Sequence, residues 1–417
     1  MKLNWVGLAI AAIVVGCGSS NSGAPGTTPS SDASTDAATC EAGCAVTGLT
    51  QSQWTWVDVP GAVCRNGSAT GFAVNLGTAT DKLMIFLEGG GACFDELTCL
   101  MTPEAFTSSE GSEWIKGDYA AATQPSAGIL NRMDANNPVK DWSFVYIPYC
   151  TGDIHAGANP AGDLSDAGVS GTQHFVGYTN VGLDLQRIVP TFPNLSQILL
   201  TGISAGGFGA AANYIQVARA FGTTPVTLLD DSGPAMEAPY FPSCLAAQTT
   251  ALWNLDQTAL ADCGSDCQGD PSTVFLDYAV HLGSAYPDRK LALIESTQDM
   301  VITEFFGFGQ NNCANELDPL SAATFTDGLI DLRQKLASEP NWGSFFFQGT
   351  DHTSLSDTAG GANFDTNSTT NANTFESLGD GGLEDGEAIP SDPDAGTILL
   401  TTWVTNLVAG QVSNVGP

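Results

Sequence analysis

Basic residues are scarce in this chain: 12 Lys and Arg stand against 45 Asp and Glu among 417 residues, a formal net charge of −33, with only 4 His. So few cations cannot neutralise a phosphate backbone, which excludes nucleic acid as a partner and disfavours a grip on anionic lipid. Charge of either sign is sparse, 14% of residues, against roughly a quarter in ordinary globular domains. The surface must therefore be covered mainly by Ser, Thr, Asn, Gln and Gly. No fixed-period repeat is visible. What the chain does have is 43% hydrophobic and 9% aromatic residues, 47 Gly and 11 Cys. That supplies ample material for a core and rules out a disordered chain. The cysteine count belongs to an exported protein.

The N-terminus reads as an address. Lys2 provides a positive start, and Trp5 to Val15 is apolar but shorter than the ~20 residues a spanning helix needs. It ends in Val14-Val15-Gly16-Cys17, which resembles the lipobox of bacterial lipoproteins. The resemblance implies a signal peptide over 1–16, cleavage before Cys17, and acylation of Cys17 as a membrane anchor. The Gly18 that follows, rather than Asp, leans towards the outer membrane of a bacterial envelope. Residues 17–50 form a Ser/Thr/Gly/Pro-rich linker with little to bury. Residues 51–417 are expected to form one domain, interrupted by a polar acidic insertion at about 356–395.

Ten further cysteines remain: Cys40, Cys44, Cys64, Cys93, Cys99, Cys150, Cys244, Cys263, Cys267 and Cys313. An even number in an exported chain allows up to five disulfides. Cys40/Cys44, Cys93/Cys99 and Cys263/Cys267 are spaced as local staples. Zinc is a weaker reading of the two C-x3-C pairs, because no His lies beside either.

Six apolar runs of strand length punctuate the chain: Leu83–Leu87, Ser143–Ile147, Gln197–Gly202, Val226–Leu229, Leu291–Ile294 and Ser344–Phe347. An Ala-rich helical stretch follows the third, over Gly209–Phe221, and Thr397–Val408 fits a closing helix. Near-continuous apolar strands separated by helical segments predict an α/β domain with a central, mostly parallel sheet and helices on both faces. In such sheets the chemistry gathers at the carboxyl ends of the strands.

Gly202-Ile203-Ser204-Ala205-Gly206-Gly207 lies between a predicted strand and a predicted helix. G-x-S-x-G in that setting is the nucleophile turn of α/β-hydrolases: small residues permit the tight turn that lifts a serine Oγ above the sheet. Of the four histidines, His352 sits in the loop after the last predicted strand, the expected place for the base. His281 is placed in an apolar helical stretch, and His155 and His174 precede the serine. The imidazole needs a carboxylate to hold its tautomer. Asp299, just past the strand ending at Ile294, is favoured, with Asp230, Asp231 and Glu295 as rivals. The glycine run Gly89-Gly90-Gly91 after an early strand offers backbone N–H groups for an oxyanion, with Gly90, Gly91 and Ala205 as donors. This chemistry needs no metal or organic cofactor. A calcium role for the Asp-rich insertion would rest on composition alone.

Five motifs occur in order: Leu87-Glu88-Gly89-Gly90-Gly91-Ala92-Cys93, Ile147-Pro148-Tyr149-Cys150-Thr151-Gly152-Asp153, Gly202-Ile203-Ser204-Ala205-Gly206-Gly207, Asp231-Ser232-Gly233 and Asp351-His352-Thr353. The set resembles the pectin acetylesterase/Notum family over most of residues 54–410. The resemblance implies an exported, disulfide-bonded serine carboxylesterase with Ser204 as nucleophile, Asp299 as acid and His352 as base. Family members usually carry an aromatic residue where this chain has Ala92, which implies a pocket lacking that wall. The implied substrate is an O-acyl ester, acetyl first, on a saccharide such as pectin, or a small ester. Because like charges slow encounter, neutral acetylated polysaccharides suit a −33 protein better than polygalacturonate. Lipid acyl or polyester substrates are the alternative, and a non-catalytic carbohydrate-binding lipoprotein is the second. The chain is expected to be a monomer that touches the membrane only through its anchor.

Overall fold

The computed structural model describes residues 43–101, 127–165, 168–267, 269–314, 318–355 and 398–416. The signal peptide, Cys17, most of the linker, Cys40 and the insertion at 356–395 lie outside the described residues.

Eleven strands are described: β1 (Trp54–Val63), β2 (Ala69–Asn75), β3 (Ala79–Leu87), β4 (Trp142–Ile147), β5 (Asn159–Gly162), β6 (Gln173–Phe175), β7 (Gln197–Ile203), β8 (Val226–Asp231), β9 (Leu291–Ser296), β10 (Trp342–Phe347) and β11 (Asn414–Val415). Nine form one sheet in the order β1-β2-β4-β3-β7-β8-β9-β10-β11, and β5 and β6 pair separately. From β4 to β11 every pairing is parallel. At the other edge β1, β2 and β4 run antiparallel. All six apolar runs are parallel strands, as expected of an α/β-hydrolase-like fold.

The runs are continuous because both faces of the sheet are buried. Leu83, Ile85 and Leu87 face one core with Ile198, Leu200 and Leu228, while Met84 and Phe86 face another with Leu199, Leu229 and Ile294. Helices Gly177–Thr191, Tyr214–Phe221 and Val274–Ala285 cover the first face. The closing helix, Leu400–Val408, covers the second through Leu400, Trp403, Val404 and Leu407. The helical stretch expected over Gly209–Phe221 is in fact two helices, Ala205–Ala212 and Tyr214–Phe221. The break is Asn213, whose fully buried side-chain amide donates to the carbonyls of Gly209 and His155.

The sheet order places the site. β4 lies on one side of β3 and β7 on the other, so successive connections leave β3 in opposite directions. That reversal opens a crevice beyond the carboxyl ends of β3 and β7, where Leu87 is level with Gly202.

Four disulfides join Cys64–Cys150, Cys93–Cys99, Cys244–Cys313 and Cys263–Cys267. Two are the local staples read from spacing. The other two cross 86 and 69 residues. Zinc at Cys263/Cys267 is corrected by the bridge between them. The staple expected at Cys40/Cys44 involves a residue outside those described. Closing a long loop restricts the unfolded chain most, so replacing Cys64 and Cys150 together by Ser should lower the unfolding free energy by about 2–5 kcal/mol. Replacing Cys263 and Cys267 should cost less. Denaturant titration of both variants, with peptide mapping under non-reducing conditions, checks the ranking and the pairing.

Candidate active site

The turn after β7 carries Ser204 at φ 56° and ψ −124°. A non-glycine residue there is strained and is held only when its surroundings dictate it. They do so by close approach. A Cβ on Gly202 would lie 2.1 Å from the Gly206 carbonyl oxygen, and one on Gly206 would lie 2.1 Å from that of Leu87. Only glycine fits either position, so the two flanking glycines of G-x-S-x-G let β3, the turn and the helix Ala205–Ala212 meet. As the first residue of that helix, Ala205 has no intrahelical acceptor for its N–H. Ser204, Ala205 and Gly91 line one cavity together, and Gly90 and Gly91 have φ of 151° and 80°.

Asp299 follows β9 and caps the helix Met300–Gly307: its Oδ1 accepts from the N–H groups of Val301 and Ile302, each at 2.8 Å. Its other oxygen, Oδ2, lies 2.7 Å from His352 Nδ1. Asp299 is fully buried and the His352 side chain 18% exposed. One carboxylate thus anchors a helix start and orients an imidazole, leaving Nε2 on the far side of the ring.

The rivals for the acid have other work. Asp231, at the end of β8, receives the Ser204 N–H on its backbone carbonyl at 2.7 Å. Its Oδ2 receives the N–H groups of Ser354 and Leu355, both at 2.7 Å. The same residue therefore ties the serine turn to the histidine loop. Burial pushes its carboxyl up to about 6, although these N–H groups and the nearby His352 pull the other way. Glu295 is fully buried, and burial together with Asp299 and Asp231 holds it well above the usual carboxylate range. Asp230 is raised likewise, by burial first and Asp231 second.

His281 is at the surface against Asp266, 2.9 Å away. His155, which precedes the serine in the chain, is buried beneath the glycine run with its Nε2 2.9 Å from the Glu88 carbonyl. Chain order carries no signal for such a neighbour.

The cavity beside Ser204 has a volume of about 120 Å³. Ala92 lines it, but so do Phe94, Phe208, Phe241, Trp253, Phe305 and Phe306. Phe94 meets Trp253 and Phe305 edge-on, with centroids 6.5 and 6.4 Å apart. The pocket expected to lack an aromatic wall has one, built from Phe94, two residues past Ala92, and from aromatics of distant segments. Helices Ser243–Trp253 and Met300–Gly307 supply two sides, and Cys244–Cys313 ties the first helix to the stretch that follows the second.

A carboxyl raised from its ordinary 3.8 to about 6 binds its proton more tightly in the folded state. Its ionisation therefore costs folded stability as pH climbs from 4 to 6, and the full cost is present above 6. Asp231→Asn removes that cost. The stability of the variant relative to the parent should thus rise between pH 4 and 7, by up to about 3 kcal/mol, as read by urea unfolding at four pH values. A difference that shrinks with pH would contradict the raised carboxyl.

A family model described as pectinacetylesterase matches residues 50–265. Among curated proteins, the chain is 27% identical over 241 residues to palmitoleoyl-protein carboxylesterase notum1a of Danio rerio, covering 54% of this chain and 41% of that protein. It is 27% identical over 249 residues to palmitoleoyl-protein carboxylesterase NOTUM of Drosophila melanogaster, covering 55% and 34%. The chain thus spans less than half the length of these curated relatives. Among solved structures, the fold is similar to that of the Wnt deacylase Notum from Drosophila, with a TM-score of 0.53 and 22% identity over 73% of this chain and 86% of that one. The glycine run, the Tyr149–Asp153 segment and the Ser204 turn fall inside the family match, and Asp299 and His352 lie beyond it. With more than half of its residues matched, the chain belongs to the pectinacetylesterase family.

Proposed function

We propose that the protein is a serine carboxylesterase that hydrolyses O-acyl esters by two-step acyl transfer. The observation that carries this reading is the buried Asp299 on His352 Nδ1, tied through Asp231 to a strained Ser204. Ser204 Oγ attacks the ester carbonyl carbon while His352 Nε2 takes its proton. Asp299 accepts from Nδ1–H and stabilises the imidazolium. The N–H groups of Ala205, Gly91 and Gly90 receive the developing oxyanion. His352 returns the proton to the departing alkoxide, and water, deprotonated in turn by His352, hydrolyses the acyl-enzyme.

Composition and motifs favour acetyl on a neutral polysaccharide. The cavity supports a larger apolar acyl group, because an acetyl methyl would occupy only a small part of an aromatic-lined space of about 120 Å³. Burying each further methylene there contributes about 0.8 kcal/mol. For export and anchoring at a bacterial envelope, the support is the four disulfides and the lipobox ending in Cys17. Among the described residues no helix is long and apolar enough to cross a membrane.

Ser204→Ala should abolish labelling by a fluorophosphonate and reduce ester turnover by orders of magnitude without unfolding the protein. Asp299→Asn keeps an oxygen for the helix cap but should cut kcat by about 10⁴-fold through the wrong tautomer. Asp231→Asn should cost much less, and the reverse ranking would move the acid to β8. On aryl esters, kcat/KM should rise from acetyl to chains of several carbons, whereas a maximum at acetyl would return the substrate to acetylated saccharides.

A further inference from the structure

The glycine loop is the least self-supporting part of the site. Three successive glycines lose more backbone freedom on ordering than any other residues, so something outside the run must hold it in shape. Glu88, which precedes it, is gripped at three points by the end of β4 and the segment that follows. Its N–H donates to Ile147 O at 3.0 Å, its Oε2 accepts from Tyr149 N–H at 2.9 Å, and its carbonyl faces His155 Nε2 at 2.9 Å. Beyond the glycines, Cys93 N–H donates to Gly152 O at 2.8 Å.

His155 is itself held rigidly. It is 2% exposed, sits at φ 56° and packs on the Tyr149 ring with centroids 4.7 Å apart. Its own carbonyl accepts from Asn213 Nδ2 at 2.9 Å. The ring side is walled by Gly209 of the helix behind Ser204, where a Cβ would come within 2.8 Å of His155 Cβ. The titratable groups nearby are occupied elsewhere. The Glu88 carboxylate takes the Tyr149 N–H, the Tyr149 hydroxyl takes the Ile154 N–H, and Asp153 takes the N–H groups of Gly157 and Gly177.

A carbonyl only accepts, so a neutral ring facing Glu88 O must carry its proton on Nε2. Burial pushes the imidazole down to about 4, which keeps the ring neutral at ordinary pH. The Glu88 carbonyl and the Gly89 N–H share one peptide plane, so a bond to the first sets the direction in which the glycines leave.

We propose that His155 is a positioning residue for the oxyanion loop: its Nε2–H, donated to the Glu88 carbonyl, fixes the peptide plane from which Gly89, Gly90 and Gly91 run to the reacting ester. The proposal rests on the esterase reading above, and its test has one arm that does not. In wild-type protein with ¹⁵N-labelled histidine, the His155 ring should be the Nε2–H tautomer and stay neutral down to about pH 5. An Nδ1–H tautomer, or a ring charged at pH 6, overturns the clamp whatever the activity. In the second arm, His155→Leu should lower kcat for an aryl ester at least ~10-fold with KM within about twofold. His155→Gln, which keeps a donor, should recover most of that loss. Wild-type kcat in His155→Leu, or equal losses in a folded Leu and a folded Gln variant, overturns the positioning role. A wild type with the Nε2–H tautomer but no esterase activity overturns the functional reading instead, and the kinetic role with it.

Discussion

Asp231 is the residue on which the site's geometry depends. Its carbonyl holds the serine turn and its carboxylate holds the backbone two and three residues beyond His352. A serine at φ 56° and a loop residue, Thr353, at φ 68° are both unfavourable. Buried bonds to one well-packed strand end keep them there. The sheet register delivers Asp231 to that point, since it lies opposite both Ile203 of β7 and Ile294 of β9.

The electrostatics follow from the same crowding. Asp230, Asp231, Glu295 and Asp299 all lie within 3% exposure at the ends of β8 and β9. Four buried anions together would be prohibitive. Burial first, and the neighbouring carboxylates second, push the carboxyls of Glu295 and Asp230 well above the usual range, which favours their neutral forms. Asp299 instead has two backbone N–H groups and an imidazole as partners. The acid beside the histidine is distinguished by what donates to it, not by its residue type.

Much of this was legible in the chain because it is local. A run such as Leu83–Leu87 is continuous for one reason, burial on both faces, and G-x-S-x-G encodes a turn within six residues. Counting strands puts Asp299 after β9 and His352 after β10, and the structure brings those two side chains together. The features that escaped are long-range. The bridges Cys64–Cys150 and Cys244–Cys313 join segments 86 and 69 residues apart. The aromatic wall is drawn from Phe94, Trp253 and Phe305, and no spacing links them. Chain order excludes His155 as the base but says nothing of it as a neighbour. The helix break at Asn213 follows from a tertiary bond to His155 that propensity does not report.

The strand order also sets when the site comes into being. The glycine run, the serine turn, the β8 corner, the capped acid and the histidine loop follow β3, β7, β8, β9 and β10 in turn. During synthesis at roughly 5–20 residues per second, the 148 residues from Ser204 to His352 take on the order of ten seconds to emerge. Through that interval the serine turn lacks the His352 loop, and a chain cut anywhere before His352 never acquires it. The chain order thus brings Asp299 and His352 together late in synthesis, ahead of only the closing helix and β11 among the described elements.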